Sequence, residues 1–167
     1  MVWVGDQVIY GIHGVCKIVD SEERIIDRRD VRYLVLEPMG QAGTRFLVPT
    51  HNAAAMGKLR KLLSRSELEE LIQSEEVHTD AWIKEENLRK QTYRELIGSG
   101  DRTALMKMVY SIYRHKNEQT ALGKKFHLCD ENFLRDAEKL LSGEISMVMG
   151  LNSDQARAYI RQQLKAE

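Results

Sequence analysis

The sequence predicts an α+β chain in which a small antiparallel β-barrel is followed by a compact all-helical domain. Three observations carry this. The hydrophobic period changes once, near residue 55, from short β-branched and aromatic runs to apolar positions three and four apart. Turn residues punctuate the first part so closely that only strands of about five residues fit between them. The 167 residues are 43% hydrophobic and 30% charged, with only 2 Pro and 11 Gly, which is enough apolar mass for a core and few helix breakers.

The strand-like runs are Gln7–Tyr10, Val15–Val19, Arg24–Ile26, Val31–Leu36 and Arg45–Val48. Gly5-Asp6, Gly11, His13-Gly14, Asp27–Asp30, Pro38–Gly43 and Pro49 separate them. Such a sheet needs closure or a partner for its edges. Beyond residue 55 the first helix is capped by Ser64 or Ser66 and runs through Ile72. Thr79 or Asp80 caps a longer one through Ile97, carrying Trp82, Ile83, Leu88, Tyr93 and Leu96. Ser99-Gly100-Asp101 stops that helix and caps the next, Arg102 to about Lys116, whose stripe is Leu105, Met106, Met108, Val109, Ile112 and Tyr113. Asp130 caps a helix through Leu141, Ser142-Gly143-Glu144 restarts a short one over Ile145–Met149, and Asn152 or Ser153 caps the last, to about Leu164. Two abutting domains result, residues 1–60 and 61–167.

Charge and motif content exclude several classes. Lys plus Arg and Asp plus Glu are 25 each, so neither a histone-like basic protein nor an acidic tail is present. Neutrality hides an asymmetry: residues 64–80 carry a net −5 and residues 81–125 a net +5. That pattern fits a nucleic-acid face, and it also fits two solvated helix faces. No run approaches the roughly 18 apolar residues of a membrane span, and no secretory leader pattern opens the chain, so a soluble cytoplasmic protein is expected. Cys16 and Cys129 have no CxxC spacing, and His13, His51, His78, His115 and His127 have no metal-ligand spacing. GxGxxG, GxxxxGK[ST], HExxH and GxSxG are absent. Cys129 beside His127 and Asp130 suggests a nucleophile, but sequence neighbours do not face one another, and a packed thiol before a helix cap is the simpler reading. The expectation is no catalysis, cofactor, metal or small-molecule substrate.

The opening is more specific. Val4-Gly5-Asp6-Gln7-Val8-Ile9-Tyr10-Gly11-Ile12-His13-Gly14-Val15 places a Gly-Asp turn before a strand and a His-Gly turn straight into the next. By itself this begins an SH3- or Tudor-like barrel. The stretch resembles the opening of the CarD/CdnL family of bacterial RNA polymerase-binding transcription regulators. The resemblance continues through Tyr33-Leu34-Val35-Leu36, Leu47-Val48-Pro49, Asn52-Ala53 and Gly57-Lys58-Leu59-Arg60. It extends to Ser99-Gly100-Asp101, Leu128-Cys129-Asp130-Glu131 and Ala137–Leu141.

This resemblance implies a two-part adaptor without catalytic activity. Its Tudor-like domain adds a sheet edge to the polymerase β subunit, and its helical domain touches promoter DNA at the upstream edge of the melted region. Such a protein works in the bacterial cytoplasm, at the nucleoid through its polymerase. Arg24 matches a basic family position for the polymerase contact, and Val31, Tyr33, Val35, Arg45 and Leu47 lie on the strands expected near that edge. Leu47 stands where some relatives have a second basic residue, and Arg45 is read as a substitute on the opposite face of that strand. On the DNA side the candidates are Lys84, Arg89, Lys90 and Arg94, placed along one basic helix, with Trp82 as a minor-groove wedge. Many relatives carry that tryptophan four residues later, where this chain has Glu86. Trp82 therefore reads either as a wedge or as a ring closing the helical core, the acidic surroundings leaning toward exposure. The alternative function is a Tudor-like adaptor that engages polymerase or another protein without direct DNA contact.

Overall fold

In the computed structural model, which describes residues 2–165, apolar alternation in the first sixty residues builds five antiparallel strands. They are β1 (Gln7–Tyr10), β2 (Val15–Ile26), β3 (Arg29–Pro38), β4 (Phe46–Pro49) and β5 (Leu59–Lys61), with the one-turn helix α1 (Ala53–Met56) before β5. Side chains two apart share a face, so Val8, Cys16, Ile18, Leu34, Leu36 and Val48 form one buried cluster. The spatial order is β4-β3-β2-β1-β5. The fold is α+β as expected, and the described residues form a five-stranded antiparallel sheet with β4 and β5 at its ends.

Two expected strands, Val15–Val19 and Arg24–Ile26, are one strand. The register shifts between Ile18 and Asp20, a bulge at Val19 that absorbs one residue and lets the ladder continue. It runs to a two-residue turn at Asp27-Arg28, both at positive φ (50° and 64°), the backbone that suits the right-handed twist of a hairpin. α1 and β5 were not expected. Leu59–Lys61 is too short to show alternation and is a strand because it pairs with Val8–Tyr10.

The chain divides at Leu62/Leu63 into two compact units, the second being helical. Its helices are α2 (Arg65–Gln73), α3 (Glu86–Ser99), α4 (Arg102–Ala121), α5 (Leu128–Met149) and α6 (Ser153–Leu164). Leu105, Met106, Val109 and Ile112 of α4 meet Leu134, Ala137, Leu141 and Ile145 of α5 and Ala156, Ile160 and Leu164 of α6 in one core. Ser64 caps α2 through the Glu67 amide, and Asn152 with Gln155 forms a capping box on α6. Gly100, at φ 66°, ends α3 in the left-handed conformation, and Asp101 at once caps α4 through the Ala104 amide. No described helix is long and apolar enough to cross a membrane.

Several helix boundaries differ from expectation, and α4 runs on past Lys116 to Ala121. α3 begins at Glu86, not near Thr79 or Asp80, because Glu85 supplies the cap and the preceding segment bonds elsewhere. The Ala81 amide donates to Ser111 Oγ at 2.8 Å, and the Ile83 carbonyl accepts from Arg89 Nη1 at 3.1 Å. α5 runs unbroken through Ser142-Gly143-Glu144. A helical glycine costs roughly 1 kcal/mol, but Leu141, Ser142, Glu144 and Ile145 are buried around it, and Arg102 grips Glu144 with two bonds of 2.7 Å. Asp130 consequently lies inside α5 and does not cap it.

Candidate functional site

The ladder β2–β3–β4 sorts its side chains onto two faces. Leu34 and Leu36 point to the core, so Val31, Tyr33, Val35 and Glu37 occupy the opposite face. Register adds Arg24 opposite Val31, Glu22 opposite Tyr33, and Asp20 and Leu47 on either side of Val35. Five of the six expected contact residues thus share one face. Arg45 shares it too, which corrects its placement: residues 45 and 47 are two apart and point the same way. Its Nε lies 4.0 Å from Glu37 of that face. Arg24 is half exposed, pairs with Glu22 at 3.0 Å and holds its guanidinium 5.8 Å from the Tyr33 ring centre. Leu47 is 39% exposed. Val35 is only 1% exposed, so the expectation of a direct contact is corrected there: it is central on the face, walled by its cross-strand neighbours. Next to this face β4 is an end strand, unpaired on its outer side among the described residues.

The second surface surrounds Trp82. Trp82 and Lys84, expected on a helix, lie in the irregular segment ahead of α3. The indole is half-buried against the helical core. It stacks on His115 of α4, with ring centres 3.7 Å apart and 11° between planes, and the Arg89 guanidinium lies 4.4 Å over it. Desolvation holds the His115 imidazole below its ordinary pKa of 6.5, Arg89 adding to the effect against Glu118.

Arg89 is a correction. The sequence reading placed it on DNA, but its side chain is 4% exposed and Asp130 is 1% exposed, and the two form a pair of 2.9 Å bonds. Burial opposes the guanidinium charge; Asp130 more than offsets this and keeps the arginine pKa raised. Buried and fully engaged, Arg89 positions the Trp82 segment and has no free fork for a phosphate. Lys90 is paired with Glu86 at 3.0 Å, while Lys84 and Arg94 are exposed.

Sequence reasoning missed part of this surface. His115 lies 6.2 Å from Phe126, and Lys116 sits 5.7 Å over that ring. Exposed Lys124 and Lys125 immediately precede Phe126. The run Gly123-Lys124-Lys125-Phe126-His127, basic with an interleaved aromatic, was the available signal. Asp130, the acidic neighbour of Cys129 and His127 in the sequence, is committed to Arg89. No cluster of metal-ligating side chains occurs among the described residues. Residues 3–63, ending one position past the unit boundary, match the family model of the CarD-like/TRCF RID domain.

Proposed function

The chain carries a CarD-like/TRCF RID domain, the mark of a family of RNA polymerase-interacting transcription factors, and from that premise we propose that it binds the polymerase β subunit and stabilises the promoter open complex through its helical unit. The observation that supports the first half is the shared face of Arg24, Val31, Tyr33, Arg45 and Leu47 beside the unpaired end strand β4. A strand added there gains backbone hydrogen bonds, Leu47 and Tyr33 contribute apolar contact, and the arginines fix orientation and on-rate.

The helical unit would act by linkage. A protein that binds the melted promoter better than the closed one shifts that equilibrium by its difference in affinity, with no catalytic step and no cofactor. Lys84, Arg94, Lys116, Lys124 and Lys125 are the phosphate contacts of this reading, and Trp82 is the ring presented to the junction. One observation favours the alternative adaptor without DNA contact: the indole is already engaged by His115 and Arg89, and Glu85 and Glu86 follow it closely in the sequence. A mobility-shift assay with forked promoter DNA at two salt concentrations separates the two, since DNA contact predicts a shift that weakens with salt. For the polymerase half, the full chain is titrated with the isolated β-subunit lobe. Arg24→Glu and Leu47→Glu each weaken the complex if the shared face is the contact, and unchanged affinity at low salt rejects it.

A further inference from the structure

Beside the Trp82 surface, with which it shares Lys116, α4, α5 and α6 line a polar concavity of about 510 Å³. Four cations line it, Lys116, Arg135, Arg157 and Arg161, against two carboxylates, Glu131 and Glu138. Two ion pairs are made: Lys116 with Glu131 at 3.1 Å and Arg161 with Glu138 at 3.4 Å. Glu138 is itself buried and takes the Tyr113 hydroxyl in a short hydrogen bond, which fixes it at the base. Arg135 and Arg157 have no carboxylate partner among the described residues. The Arg157 Nε is buried without a hydrogen-bond partner.

Arg157 and Arg161 are one helical turn apart on α6, a spacing at which like charges repel. An anion seated between them and Arg135 relieves that repulsion. We propose that this concavity binds the phosphoryl group of a small phosphate ester or diphosphate, held by the forks of Arg135, Arg157 and Arg161. Guanidinium forks match tetrahedral phosphate oxygens in a bidentate fashion, and the volume is that of a small-molecule site. A nucleic-acid strand is the poorer occupant. The site is concave, and Glu131 and Glu138 repel a polyanion while leaving room for one phosphoryl group.

The test is calorimetric titration of the full chain with pyrophosphate at fixed ionic strength, repeated on Arg157→Gln, Arg135→Gln and, as a control outside the concavity, Arg65→Gln, an exposed arginine of α2 paired with Glu69. A short DNA duplex forms a second arm. Arg135 is exposed, so its replacement keeps the fold even if Arg157→Gln does not. The proposal predicts that wild type and Arg65→Gln bind pyrophosphate alike and that each pocket variant weakens it at least about tenfold. No wild-type binding at millimolar pyrophosphate overturns it, as does equal binding by Arg135→Gln. Duplex binding that depends on Arg135 without any pyrophosphate binding also overturns it, in favour of a DNA contact.

Discussion

Trp82, His115 and Arg89 form a group in which each side chain sets the surroundings of the others. The imidazole is stacked and partly desolvated, so the folded state favours its neutral form, with a pKa below the 6.5 of the unfolded chain. Between those two values the unfolded state binds more protons, so stability is full above about 6.5 and falls as the pH drops toward the folded value. His115→Gln therefore shows a smaller loss of melting temperature than wild type between about pH 7 and pH 5, read by thermal scanning at each pH. Arg89 obeys a different rule. Removing one partner of a buried pair strands the other, so Arg89→Met costs roughly 3–5 kcal/mol in urea unfolding, and the double change Arg89→Met/Asp130→Leu recovers much of it. Equal losses in the single and double variants would show that the pair is not what Arg89 contributes.

At the scale of elements, the junction of α3 and α4 contrasts two glycines two residues apart. Gly98 lies inside α3, with open space where a Cβ would go, so Gly98→Ala reduces unfolded-chain entropy and stabilises by about 0.4–1 kcal/mol. Gly100 sits at φ 66° and accepts no such change: Gly100→Ala destabilises by about 1–2 kcal/mol. Denaturant midpoints of the two variants moving in opposite directions confirm the junction. His78 performs a comparable service elsewhere. Its two ring nitrogens lie 2.8 Å from the Ser74 and Gln163 carbonyl oxygens, tying the end of α2 to the last turn of α6.

At the scale of the molecule, each unit has its own core, one centred on Ile18 and Leu36, the other on Ile112 and Ile145. Surface changes in one need not disturb the other. Lys124→Glu/Lys125→Glu is expected to leave affinity for the β-subunit lobe unchanged while lowering affinity for forked promoter DNA. If the two lysines meet two phosphates, the slope of log affinity against log salt falls by roughly 1.4–1.8, measured by anisotropy across a salt series. Arg24→Glu should do the reverse. A double-lysine variant with wild-type DNA binding and slope would exclude this loop from the interface.

What the sequence determined by itself was local. Period, caps and turn residues placed β1, α2, α6 and the α3–α4 junction, because Ser64, Asn152, Gly100 and Asp101 act on amides within a few residues of themselves. The opening Gly-Asp and His-Gly turns marked the domain that the family match later covered. What only the tertiary structure decided depended on partners distant in sequence. The start of α3 turns on Ser111 and on Arg89, whose own partner Asp130 is 41 residues away. The continuity of α5 through Gly143 rests on Arg102, 42 residues from Glu144. Those long-range bonds moved Trp82 and Lys84 off the helix and removed Arg89 from the surface, since a buried charge must spend its hydrogen bonds on a protein partner rather than on a ligand.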